Sequence, residues 1–162
     1  MTITETRRGQ RALTLAAVGL LAYWMFGNVY EAVVISPNWV VDNPAQLVRL
    51  NEFFVNTGPT WYFVPLGLLG PVLVWVAAWR NRDPDLAPAY RRAGWCVALA
   101  TALTAVVVTT LLSRLFGADY RSYGAELTSF AWWWNVANVV RIALVATALW
   151  SVFSAFRILD RR

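Results

Sequence analysis

The chain has no histidine, no lysine and a single cysteine, Cys96, which sits inside an apolar run. Without imidazole or paired thiolates, zinc, copper, haem and facial-triad iron sites lose their usual ligands. Ser/His/Asp and Cys/His nucleophile triads are excluded as well, and no disulfide can close within one chain. Charge is scarce too: 14% of the 162 residues are charged, against about 25% in a soluble domain. The chemistry left to this sequence uses carboxylate, guanidinium, amide, phenol and indole groups or a bound cofactor, and no metal site is expected.

What is present is apolar and aromatic. Hydrophobic residues make up 59% of the chain, with ten Trp, and the mean hydropathy is +0.48. Crossing ~30 Å of hydrocarbon at 1.5 Å per residue takes about 20 residues. Four runs are long enough, over about 12–35, 61–79, 94–116 and 132–156. The fold class read from them is all-α integral membrane: residues 1–162 form a single domain, a four-transmembrane-helix bundle. The first run follows Arg7, Arg8 and Arg11 as a secretory signal would, but it is too long and lacks a small-residue cleavage pattern, so it is expected to stay attached. No internal repeat or low-complexity segment breaks the pattern.

The net charge of +5 comes from 14 Arg against nine acidic residues. The arginines flank the apolar runs and form no basic stretch with interleaved aromatics, so no nucleic-acid partner is expected. Arg7, Arg8 and Arg11 precede the first run; Arg80, Arg82, Arg91 and Arg92 lie between the second and third; Arg157, Arg161 and Arg162 follow the fourth. Arg49 and Arg121 alone occupy the other two loops. The positive-inside rule therefore puts both termini in the cytoplasm of a bacterial inner or plasma membrane. The first outer loop, 36–60, is long, with Pro37, Asn38, Trp39, Asp42, Asn43, Pro44 and Pro59. Leu47, Leu50, Phe53 and Phe54 give it enough apolar content to lie on the bundle as a short interfacial helix or lid.

Two ionisable groups fall inside the runs, and an intramembrane charge is by default a functional hypothesis. Glu31 lies in the last turns of the first span. Arg141 lies about ten residues into the fourth, roughly 15 Å along that helix. Trp24, Asn28 and Glu31 share one helical face, and so do Trp134, Asn138 and Arg141, with Asn135 beside them. The first span ends where the fourth begins, so the two stripes converge in the outer half of the membrane. The second span brings Trp61, Tyr62 and Pro65 to that level, and the third brings Arg114. The expected pocket opens toward the outer leaflet and is lined by Trp24, Asn28, Tyr62, Trp134 and Asn138, above an inner half that is almost wholly apolar. Blander roles stand beside these. A Glu31–Arg141 pair can simply lock the bundle, Arg114 can snorkel, Trp132 and Trp133 suit an interfacial belt, and Gly67 and Gly70 suit close helix packing.

The fourth span, WWWNVANVVRIALVATALW, resembles the closing helix of the anthrone oxygenase-like family of small four-span membrane proteins, in which a Trp is followed by Asn or His four residues on and by Arg three later: here Trp134, Asn138 and Arg141. GNVYEAVVISPNW, from Gly27 to Trp39, is similar to the family's opening helix, which ends at a proline after the membrane. Ile142 departs from the small hydroxyl residue many members carry after the Arg, and Arg114 stands where an Asn-containing motif often occurs. The resemblance implies a cofactor-independent oxygenase that converts a lipophilic polycyclic aromatic polyketide, an anthrone, to its quinone with O2. Glu31 would be the base; Arg141 and Asn138 would stabilise the enolate oxygen; Trp24, Asn28, Tyr62, Trp134, Asn135 and Arg114 would bind substrate. Two alternatives use the same residues: a cyclase or isomerase of a terpenoid or polyketide with Glu31 as acid, and a non-enzymatic accessory subunit. The lipid bilayer is the expected partner, and apolar Gly and Ala faces leave a homo-oligomer open.

Overall fold

A computed structural model describes residues 3–41, 44–56, 58–117 and 119–161; Asp42 and Asn43 of the first outer loop lie outside them. Most of the described residues are helical, with no strand among them. Helix α1 runs Ile3–Tyr30 and continues as a π-helical stretch, Glu31–Ile35. Two short helices follow, α2 (Pro37–Val40) and α3 (Ala45–Phe53), and then α4, Pro59–Arg80. Helix α5 (Ala87–Val107) passes through a second π-helical stretch, Val108–Leu112, into α6, Ser113–Phe116. A 3₁₀ turn, Tyr120–Tyr123, leads to α7, Glu126–Asp160. Four of these rods, α1, α4, α5 with its extension, and α7, are long and apolar enough to cross a membrane, as in an integral membrane protein.

The rods form a ring in which α1 packs on α4 and α7, and α5 packs on α4 and α7. Up-and-down connectivity puts both chain ends at one end of the bundle and the polar stripe near the other. Pro59 and Pro88 sit in the first turns of their helices, where a missing N–H costs nothing. Gly124, at φ +49°, makes the reversal before α7 in a conformation L-residues rarely adopt. Between α4 and α5 the Asn81 and Asp83 side chains accept from the Asp83 and Asp85 backbone N–H groups and hold a tight turn.

The middle of the core is built from small and branched residues, Ala17, Leu21, Val74, Ala93, Val97, Val145, Ala148 and Val152, which let the backbones approach. Gly27 and Gly70 leave room for α1 and α4 to pack: a Cβ on Gly27 would lie 2.6 Å from the Tyr62 ring and 2.8 Å from Phe63, and one on Gly70 would touch Leu20 and Leu21. Outward-facing tryptophans mark both ends, with Trp61, Trp132 and Trp133 near the polar stripe and Trp79, Trp95 and Trp150 toward the other.

The half expected to be apolar holds a buried polar cluster. Gln10 donates to the Ala77 carbonyl (2.9 Å) and to Tyr90 Oη (3.0 Å), and Thr14 Oγ1 lies 2.7 Å from the same phenol. The expectation missed it because the first span was started at residue 12; α1 is helical from Ile3, and Gln10 is carried into the bundle.

Candidate functional site

Glu31 opens the π-helical stretch of α1, where the Ser36 N–H reaches back to the Glu31 carbonyl across five residues at 2.7 Å. The extra residue widens the turn, a distortion common at functional sites. Its carboxylate points at α7. Trp134 Nε1 donates to Glu31 Oε1 at 2.8 Å, and Arg141 Nη2 lies 3.8 Å from Oε2. Glu31 is 7% exposed and Arg141 6%. The acid and the guanidinium therefore share one buried environment, as a salt bridge a little longer than a hydrogen bond.

Arg141 is held by a short relay. Its Nη2 donates to Asn138 Oδ1 (2.9 Å), Asn138 Nδ2 donates to the Asn28 carbonyl (3.2 Å), and Asn28 Nδ2 donates to the Trp24 carbonyl (2.7 Å). The guanidinium carbon lies 5.6 Å from the Trp134 ring centre, over its face. Nη1 makes a long contact to Thr104 Oγ1, 3.5 Å, and Nε meets no acceptor among the described residues. A guanidinium has five N–H donors, and here several are unspent.

These groups border a cavity of about 350 Å³, within the roughly 300–1,000 Å³ range of small-molecule pockets. Its polar edge is Asn28, Glu31, Thr101, Thr104 and Arg141; Trp24, Trp39, Phe63, Phe116 and Trp134 supply aromatic walls. Helix α3 contributes Leu50 and Asn51, and Phe54 just past its C-terminus also lines the cavity. Trp39 packs on Trp134 edge to face, centroids 5.8 Å apart, and on Phe116 at 5.0 Å. Both π-helical stretches reach the cavity, through Glu31 and Ile35 and through Val108 and Leu112.

Trp24, Asn28, Glu31, Trp134 and Arg141 thus all border the cavity, and four other expected residues do not. Tyr62 is 43% exposed and stacks on Tyr23 at 4.3 Å, while its neighbour Phe63, one helical step round α4, takes the cavity side. Asn138 does not border the cavity: its carbonyl serves Arg141 and its amide serves the Asn28 backbone, so it positions the cation. Asn135 returns its amide to the Ala131 carbonyl of its own helix at 2.9 Å. Arg114 is exposed, with its guanidinium 5.0 Å from the Phe130 ring centre. Thr101 and Thr104 were missed; two hydroxyls three apart in an apolar run put both on one face, and that spacing was the available signal.

No family model, curated protein or solved structure matches this chain.

Proposed function

We propose that the chain is a membrane-embedded oxygenase of lipophilic, enolisable aromatic ketones of the anthrone type. One observation carries this reading: a carboxylate and a guanidinium with unspent donors face the same aromatic-walled cavity. Glu31 takes a proton from the ring CH₂, and the pair of electrons left behind delocalises onto the ketone oxygen, where Arg141 opposes the charge. The carbanion gives one electron to O2, and the two radicals join in a C–O bond. Protonation gives a hydroperoxide; loss of the second C–H proton with cleavage of the O–O bond releases water and leaves the quinone. One substrate and one O2 give one quinone and one water, with no outside reductant.

The Trp24, Trp39 and Trp134 rings suit a flat polycycle, and the Trp134–Asn138–Arg141 spacing supports the family resemblance. In this reading α3 is an interfacial lid over the cavity, the arginine-rich end is cytoplasmic, and the cavity opens toward the outer leaflet. Purified protein in detergent should speed quinone formation from 1,8-dihydroxyanthrone with matching oxygen uptake. Glu31→Gln, which still accepts from Trp134, should slow the reaction about 10²–10⁴-fold. A rate equal to protein-free autoxidation overturns the reading. Product formed without oxygen uptake points to the isomerase alternative.

A further inference from the structure

A second hollow, about 580 Å³, lies between α4 and α5 and is lined by Pro71, Val72, Trp75 and Val76 from one side and by Val97, Ala98, Thr101, Ala102 and Ala105 from the other. Thr101 borders both hollows, so the two adjoin on either side of that residue. From Ala105 to Val97 the groove follows eight residues of α5, about 12 Å at 1.5 Å per residue. Its floor is buried, whereas Trp75, half exposed, and Ala102 and Ala105 face outward, where lipid would lie.

Small residues on a transmembrane helix normally draw a neighbour in. Here Ala98, Ala102 and Ala105 face Pro71, Val72 and Trp75 across a gap, and α4 and α5 are the least closely packed adjacent pair in the ring. Pro71 has no N–H, so the carbonyl of Gly67, which borders the cavity, lacks its helical donor. The junction also holds the Thr101 hydroxyl, buried and without a hydrogen-bond partner among the described residues. At the far side of the cavity Arg141 Nε is buried and equally unmet. A polar-edged cavity adjoining an apolar groove matches an amphipathic molecule better than a compact one.

We infer that the site takes a two-part ligand: an oxygenated ring in the Glu31–Arg141 cavity and an aliphatic tail along the α4–α5 groove, entering sideways from the bilayer. The ring half rests on the function proposed above; the tail half does not. Lipid is as apolar as the groove, so the tail gains from packing against Pro71, Val97 and Trp75 and from tethering to the bound ring, not from leaving water.

The test measures binding, so it holds whether or not oxygen is consumed. Two probes are titrated into protein in nanodiscs, with intrinsic Trp fluorescence as the readout: 1,8-dihydroxyanthrone and its 2-decyl derivative, each corrected for uptake by empty discs. Ala102→Phe, on an outward-facing position, fills the groove without touching the polar groups. It should weaken the decyl probe about tenfold, equivalent to about 1.4 kcal/mol, and leave the bare ring unchanged; Ala105→Phe should do the same. Equal loss or no loss for both probes overturns the tail groove. Binding of the decyl probe alone, still weakened by Ala102→Phe, keeps the groove and overturns the ring assignment, and binding of neither overturns both. A wild-type dimer that Ala102→Phe converts to monomer assigns the groove to a second copy and overturns the inference.

Discussion

At the scale of single residues, the weight falls on a charge pair that is buried but not tight. Glu31 Oε1 is taken by an indole, and Arg141 is steadied by Asn138 and the Trp134 face. Removing one partner leaves the other charge in a low-dielectric interior, which costs about 3–5 kcal/mol, whereas removing both leaves neutral groups. Arg141→Met should therefore lower unfolding stability in mixed micelles by about that amount, and Glu31→Gln/Arg141→Met should regain most of it. Both variants should be inactive, so the double variant separates folding from chemistry. Losses that simply add would mean that the two groups do not share one environment. The pair itself was legible because a charge inside an apolar run must find a partner away from lipid. Thr101 and Thr104 were not, because a hydroxyl in such a run commonly returns to its own helix, as Thr104 does to the Ala100 carbonyl at 2.8 Å.

At the scale of elements, the cavity depends on how closely α1 and α4 approach. The Tyr62 and Phe63 rings lie where a Gly27 side chain would be, and Phe63 is also a cavity wall. Gly27→Ala must push these rings aside, and overpacking of this kind costs about 1–3 kcal/mol. Gly19 on the same helix has open space around its Cβ position, so Gly19→Ala should stabilise by about 0.5–1 kcal/mol through helix propensity alone. Thermal unfolding of the two variants in one detergent checks both signs. Equal shifts would show that the α1–α4 approach is looser than drawn. Helix existence and phase were readable from the 3.6-residue period. The π-helical stretches were not: EAVVI and VTTLL contain no glycine or proline, and Thr109 and Thr110, whose hydroxyls donate to the Ala105 and Val106 carbonyls, read as ordinary helix. Phase also failed at a helix start, where Tyr62 and Phe63 were one step apart and nothing in the run chose between them.

At the scale of the whole molecule, the two ends of the bundle are chemically unlike. One holds both chain ends, Arg7, Arg8, Arg80, Arg82, Arg91 and Arg92, and the Arg11–Asp160 ion pair that ties α1 to α7. The other holds the cavity, with Arg49, Arg114 and Arg121 as its flanking cations. In the proposed orientation, with the arginine-rich end cytoplasmic, the outer leaflet supplies the ligand. In a Cys96→Ala background, a membrane-impermeant maleimide added to intact cells should label Asn56→Cys, exposed beside the cavity, and not Pro84→Cys in the turn between α4 and α5. Permeabilised cells should show both. The reverse pattern would place the cavity in the cytoplasmic leaflet without altering its geometry. A lipophilic product made inside the cell would then reach the groove without first crossing the bilayer, so the labelling result also decides on which side a ligand must be presented.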